Sequence, residues 1–350
     1  MNQPSDVAIA LSGGVDSAMA AVFLKGSGWK VYGLHLVLSS VAPRRGERVR
    51  EIADRIGIPL EIIDLREHFE MQVVMPFCDA YVKGLTPNPC VRCNQEIKFE
   101  ALYHYCIGKK IHCLATGHYV RLDVKDRRAG LLRGVDKGKD QSYFLQRLGR
   151  APLSRAVFPL GEMTKEEIRR RARELGLPCH LRPESQEICF ISGMGYREFV
   201  EKRRGVTVRK KGLIVDADGE AVGEHEGVYR YTIGQRHGLG IASSRPYYVK
   251  EIRPDVNQVV VARREALFTA VVDADHVHWI QDPPPKSGAR MLAQVRYRHR
   301  AATGRLTVVS SDEVQFTFDT PQWAITPGQA LAFYDGERLI GGGWIIRPLN

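Results

Sequence analysis

The run Val7–Leu11, then Ser12-Gly13-Gly14-Val15-Asp16-Ser17, then an Ala-rich stretch to Leu24 constrains this chain more than any other feature. An unbroken apolar run closed by a glycine turn reads as a buried parallel strand, and Ser17–Leu24 reads as the helix after it. A strand that is apolar on both faces needs helices on both sides, which sets the expectation of a parallel α/β sheet. Paired glycines let the backbone approach an anion closely, and the helix N-terminus offers unpaired N–H groups with a positive dipole end. Ser12 and Ser17 add hydroxyls. Asp16 is out of place beside phosphate unless it faces a cation, and Mg²⁺ is the expected one. The loop is not a Walker A motif, because no Lys precedes its closing Ser, and it lacks the three-glycine dinucleotide fingerprint.

Further along, Val31–Leu38 and Leu60–Leu65 read as strands. Val49, Ile52, Ala53 and Ile56 fall at i, i+3, i+4 and i+7, the stripe of an amphipathic helix. Cys113–Thr116 reads as another strand, ending at Gly117. Thr164 and Glu167 form a capping box for a helix that runs to Leu175, before Gly176 and Pro178. Strands alternating with helices imply a doubly wound sheet over residues 1–204. After Gly205 the texture changes to short alternating runs broken by glycine turns, which reads as all-β. Residues 205–274 are expected to be a central β-rich domain, and residues 275–350 a C-terminal barrel-like domain. Asp282-Pro283-Pro284-Pro285 looks like the linker between them.

Seven cysteines at irregular spacing in a 350-residue chain argue for reduced thiols rather than a secreted disulfide framework. The polar lead before Asp6 has neither a basic region nor a cleavage pattern, and no apolar run nears the ~20 residues that span a bilayer. A cytoplasmic protein without membrane attachment is expected. A net charge of +11 suits a polyanionic partner and suits simple solubility equally.

Three readings compete for Cys90-Val91-Arg92-Cys93 and the distant Cys189. The pair alone has too few ligands for a closed zinc site. Cys90, Cys93 and Cys189 could hold three corners of an iron–sulfur cluster. Cys93 and Cys189 could instead be a reactive pair that exchanges sulfur through a transient disulfide. Gln95–Tyr105 reads as a helix, which would put Cys93 near its N-terminus, where the dipole and Arg92 favour the thiolate. Cys78, Cys106, Cys113 and Cys179 read as small core residues.

Ser12–Ser17 resembles the PP-loop of ATP pyrophosphatases, which cleave ATP between the α- and β-phosphates and adenylate an oxygen. Six further blocks occur in order: Asn88-Pro89 to Cys93-Asn94 with Glu96-Ile97-Lys98-Phe99, Ala115–Tyr119, Lys139–Leu145, Ser185–Phe190, Tyr231–Arg236 and Thr326–Gln329. Together they make the whole chain similar to the MnmA-type tRNA 2-thiouridylases. The resemblance implies a PP-loop (adenine nucleotide α-hydrolase-like) domain followed by β modules ending in a small barrel. It implies ATP-dependent transfer of sulfur to C2 of the wobble uridine, U34, in the tRNA anticodon stem-loop, releasing AMP and pyrophosphate. Cys93 then matches the nucleophile, Cys189 the persulfide carrier, and the two pair transiently as a disulfide. ATP would lie against Ala10, Leu11, Ser12, Gly13, Gly14, Val15, Asp16, Ser17, Leu36 and Gly117, with Asp16 also catalytic. The residues carried over as tRNA contacts are His118, Lys139, Asp140, Gln141, Arg296, Tyr297 and Gln329. A cysteine desulfurase or sulfur-relay protein would load Cys189, and the enzyme is expected to act as a monomer. One departure stands out, because many relatives carry Asp where this chain has Cys90.

By residue chemistry alone, Lys139-Asp140-Gln141 reads as a solvated loop, or as one that touches phosphate with Lys and base edges with Gln and Asp. Arg296-Tyr297-Arg298-His299-Arg300 reads as a strand that tracks an RNA backbone, or as an ordinary exposed strand face. The rivals are another AMP-forming PP-loop ligase that makes amide or C–N bonds, and a non-catalytic RNA-binding paralogue.

Overall fold

A computed structural model describes residues 6–39, 44–125, 128–178, 188–191, 193–205, 209–280 and 282–349. Cys179 and residues 185–187 of the Ser185–Phe190 block lie outside the described residues. The chain opens with β1 (Asp6–Ala10), α1 (Val15–Gly26), β2 (Lys30–Val37), α2 (Arg44–Ile56) and β3 (Leu60–Asp64). Two longer helices follow. Residues 66–82 form α3 and residues 89–108 form α4, each α-helical at its ends with a π-helical stretch inside, Glu70–Val74 and Cys93–Phe99. Pro89 sits at the first turn of α4, where its fixed φ and missing N–H cost nothing. The helix therefore starts six residues before Gln95, where the sequence reading began it.

β4 (Cys113–Ala115) leads into a hairpin, β5 (Val120–Lys125) and β6 (Arg128–Arg133), and then to β7 (Ala156–Val157). The sheet order is β3-β2-β1-β4-β7, and every pairing is parallel. Val7, Ala8 and Ile9 are fully buried, as a central strand requires. One face packs on α1, α2 and α5 (Lys165–Glu174), which bury Met19, Val49, Ile52, Ala53, Ile168 and Ala172. The other packs on α4 through Phe99, Leu102 and Cys106. The Thr164–Glu167 capping box is present in full at the start of α5. α6 (Tyr196–Arg204) ends at Gly205, whose φ is +75°.

The rest is β. Strands β8 (Gly212–Val215), β9 (Ala221–His225), β10 (Tyr248–Arg253) and β11 (Gln258–Ala262) form a four-stranded sheet in the order β10-β11-β8-β9. A barrel follows from β12 (Phe268–Trp279), β13 (Arg290–Gln294), β14 (Ala302–Val308), β15 (Val314–Trp323), β16 (Ala330–Asp335) and β17 (Arg338–Leu349). It runs β12-β15-β14-β13-β16-β17 and closes through β12–β17 pairing, which leaves those strands without a free edge. The expected boundary at residue 275 is corrected, since it cuts β12 in the middle. The proline run lies between β12 and β13 of this one barrel, so it is a loop and not an interdomain linker.

The β5–β6 hairpin belongs spatially to the barrel, although it lies within the first half of the chain. β6 pairs with β17 through Leu132–Arg338 and Leu131–Leu339, and Arg121 and Asp123 pair with Glu337 and Arg338. The nucleotide-type sheet and the barrel are thereby stitched together.

Candidate active site and nucleic-acid interface

In a sheet ordered 3-2-1-4, ligands bind where the connections diverge, outside the C-terminal ends of β1 and β4. Both signature loops lie there. Gly13 adopts φ +79°, and Gly14 precedes α1 as an N-cap without a side-chain bond, so the N–H groups of the first turn keep their outward donors. The Ser12 backbone N–H donates to Ser17 Oγ at 3.2 Å, and Ser17 Oγ donates to the Gly14 carbonyl at 3.1 Å. These bonds fix the loop's curvature from inside. From β4, Gly117 lies so close that a Cβ would sit 2.8 Å from the Ser17 nitrogen and the Asp16 carbonyl carbon. Only glycine fits there. Leu36 is half-buried near the C-terminal end of β2, packed on the α4 face of the sheet.

Asp16 has a different immediate partner from the expected cation. Both carboxylate oxygens lie 2.6 Å from Lys165 Nζ, and the Tyr119 hydroxyl donates to Oδ1 at 2.7 Å. Lys165 is the first residue of α5 and is buried. A metal could take up Asp16 only by sharing it with that ammonium. A single carboxylate plus ATP phosphate oxygens is a common donor set for Mg²⁺, and the residues present fit that arrangement. Arg48 of α2 lies alongside the loop, its Nε 3.4 Å from a Cβ built on Gly13.

The thiols gather on α4 and the segment docked against it. Cys93 begins the π-helical stretch and is 7% exposed, whereas Cys90 and Cys189 are exposed. Phe190 and Ile191, which follow Cys189 directly, are buried in one apolar cluster with Cys93, Ile97, Phe69 and Phe77. Burial pushes the Cys93 thiol up to about 12. Lys98 opposes this as the nearest cation, and the Cys189 and Cys90 thiols are near enough to add to the rise. The expected low-pKa thiolate is therefore corrected. Cys93 lies one turn inside the helix, and the cation acting on it is Lys98 rather than Arg92. Among the described residues no group of three or more His, Cys, Asp or Glu side chains is placed to hold a metal ion, so Cys90, Cys93 and Cys189 do not fit an iron–sulfur cluster.

His118 is buried, its Nδ1 2.8 Å from Thr116 Oγ1 and its ring beside Phe99. Burial and the Lys98 ammonium hold its pKa far below the ordinary 6.5, so the ring is neutral. It is an interior group between the β4 loop and α4 rather than a surface contact. Asp140 is likewise buried, and its oxygens accept from Gly134 N, Ser142 N, Ser142 Oγ and Arg133. It shapes the loop that presents Lys139, which corrects its reading as a base contact. Gln141 accepts from the Tyr119 N–H. Arg296–Arg300 forms a turn after β13, not a strand, because the Gln294 amide ties down the carbonyls of 296 and 297. Arg296 lies over the Trp323 ring, Tyr297 packs 4.3 Å from Phe144, and Arg298 and Arg300 are exposed. The Gln329 amide donates to the Thr86 carbonyl at 2.8 Å, and Thr86 Oγ1 bonds Thr232 Oγ1 of the central domain. The approach to Asn88–Cys93 is thus gripped from both β domains.

Residues 5–193 match the family model for the tRNA methyl transferase HUP domain, 197–263 the tRNA methyl transferase PRC-barrel domain, and 270–345 the aminomethyltransferase beta-barrel domain. A tRNA-specific 2-thiouridylase MnmA from Acidithiobacillus ferrooxidans is 43% identical over 343 residues, covering 96% of this chain and 97% of its own. The protein of that name from Carboxydothermus hydrogenoformans is 41% identical over 360 residues, covering 98% of each. The chain belongs to the tRNA-specific 2-thiouridylase family.

Within this family member, Lys98, Lys165 and Arg48 are the site residues that sequence reasoning missed. Lys98 stood inside a quoted block without a role. Lys165 was read only as helix, and Arg48 had no role. Lys98→Met should slow alkylation of Cys93 by iodoacetamide several-fold at pH 8, because the Lys98 charge that lowers that thiol's pKa is gone. Mass spectrometry of the Cys93 peptide measures this, and an unchanged rate would remove Lys98 from the thiol's chemistry.

Proposed function

We propose that this chain is an ATP-dependent tRNA sulfurtransferase that forms 2-thiouridine at U34. The observation that supports the reading is a chain of neighbours linking an anion-binding loop to a buried thiol. From Ser12–Ser17 the contacts run through Gly117 to His118, and Lys98 acts electrostatically on both His118 and Cys93.

ATP binds against Ala10–Ser17, Leu36 and Gly117, with its phosphates on the α1 N-terminus. Mg²⁺, when bound, neutralises phosphate charge beside Asp16. The uridine C2 oxygen attacks the α-phosphorus and expels pyrophosphate, which converts a poor leaving group into AMP. The terminal sulfur of a Cys189 persulfide attacks C2 and displaces AMP. The Cys93 thiolate then attacks Cys189 Sγ and splits the S–S bond, leaving the thiocarbonyl on the base and a Cys93–Cys189 disulfide. An external thiol reductant restores both thiols, and a protein persulfide donor reloads Cys189. Cys93 must lose its proton for this, and Lys98 is the cation beside it. Lys139, Gln141, Arg296, Tyr297 and Gln329 border the RNA, with His118 behind them. The enzyme acts in the cytoplasm as a monomer, each copy holding one anticodon stem-loop.

Purified protein given tRNA, ATP, Mg²⁺ and a persulfide source should yield 2-thiouridine at position 34 by nucleoside mass spectrometry. Unmodified U34 under those conditions overturns the proposal.

A further inference from the structure

A cavity of about 320 Å³ lies between α3, the first turn of α4 and the β12–β17 side of the barrel. That is within the range of small-ligand sites, roughly 300–1,000 Å³. Phe77 and Ile346 supply apolar wall, Trp344 an aromatic one, and Asn88, Arg92, Asp275 and His276 the polar groups. The reacting thiols are not in it. An α-helix turns about 100° per residue, so Asn88 and Arg92, four apart, share a face, and Cys90 and Cys93 fall roughly a third to a half turn away from them.

Two features mark this cavity as built. His276 carries φ +47°, a conformation that costs a non-glycine residue energy, and it stands in a β-bulge of β12 between Asp275 and His278. Its side chain is 66% exposed, with Nδ1 3.2 Å from Asp275. The strained peptide is held from across the cleft, because Arg147 donates to the His276 carbonyl and also to Gln95 of α4 at 2.9 Å. The second feature is charge. The Arg147 guanidinium lies 5.7 Å from the Trp344 ring centre, where Arg92 acts on it as a like charge and Glu96, Asp312 and Asp275 as opposite ones. Among the described residues Arg92 makes no ion pair with a carboxylate. An aromatic wall, a lining histidine and Arg92, with Arg147 beside Trp344, complement a flat heterocycle that carries a phosphate.

We propose that this cavity receives an unstacked nucleobase of the RNA next to the reacting uridine, with its phosphate against Arg92 and Arg147. The inference rests on the tRNA reading above and adds a second base-binding site, on the face of α4 turned away from the thiols. Such a site reads the anticodon loop as a splayed strand. One base enters the sulfur-transfer crevice while its neighbour is held behind the same helical turn, which fixes the register between them.

The test uses full-length protein and tRNA carrying a single abasic nucleotide at each anticodon-loop position in turn. Binding is read by filter retention, and product by mass spectrometry. Wild-type protein should lose about tenfold in affinity at one loop position besides the target, the scale of one stacked base. Trp344→Ala should bind intact tRNA weaker by a similar factor and be indifferent to that abasic site. His276→Gly tests the same coupling with the fold protected, because glycine takes the left-handed backbone without strain. If every abasic position costs both variants as much as wild type, the inference is overturned. It is equally overturned if Trp344→Ala leaves tRNA binding intact and slows only the loading of Cys189 by a persulfide donor protein. Absence of 2-thiouridine from wild-type protein and intact tRNA would instead sink the functional reading itself.

Discussion

Cys93→Ser and Cys189→Ser should each abolish 2-thiouridine formation while leaving ATP binding at the wild-type level. Loss of a covalent nucleophile costs on the order of 10⁴-fold or more in turnover, and two residues that act as one relay do not add. The double variant should therefore be no worse than either single one. ATP binding should survive because serine is a small change for Cys93, which packs among Phe69, Phe77 and Ile97 rather than in the Ser12–Ser17 turn. The relay also has a pH signature. Burial raises the Cys93 thiol to about 12, so near neutrality it is protonated, and its thiolate fraction grows tenfold per pH unit up to that value. Alkylation of Cys93 should climb log-linearly between pH 7 and 10, without the plateau of an activated cysteine. A plateau below pH 8, or full activity in either single variant, would break the assignment.

Local patterns account for what was legible from the residues. The Val7–Leu11 strand, the Val49–Ile56 stripe and the Thr164–Glu167 box each depend on neighbours a few positions away, and all three stand in the fold. The start of α4 was readable too, because Pro89 at the first helical position is itself a start signal. Other features were out of reach. The Arg296–Arg300 segment alternates like a strand, but Gln294 folds it back into a turn, a bond that periodicity does not register. Asp140 looks solvated among Lys137, Lys139 and Gln141, and becomes interior only because Arg133 and Ser142 close around it. The pairing of the β5–β6 hairpin with β17 spans about three-fifths of the chain and carries no local signature. Recognition of the motif blocks supplied the cysteine roles, and the packing in turn revised the state of one of them.

Lys165 shows most clearly what only the fold discloses, since its partner Asp16 is 149 residues away. Lys165→Met should both destabilise the protein and weaken ATP use. Removing one partner of a buried ion pair costs about 3–5 kcal/mol. Asp16 keeps 34% of its side chain exposed, so the loss should fall at or below the lower end of that range. The functional loss follows from charge. A carboxylate stripped of its ammonium at the mouth of a phosphate-binding loop repels the ligand, and two like charges ~4 Å apart at an effective dielectric of ~20 interact by about 4 kcal/mol. Partial exposure screens this, which leaves an expected rise of roughly 10–100-fold in KM for ATP. Asp16→Asn in the same background separates the two effects. The double variant should recover much of the thermal stability, because no unpaired charge is left beside Tyr119. If Asp16 serves only to anchor Lys165, it should recover ATP affinity as well. If Asp16 also shares a cation with the phosphates, affinity stays low while the melting temperature returns. Lys165→Met with wild-type melting and wild-type KM would mean that this buried pair is incidental to the loop it closes.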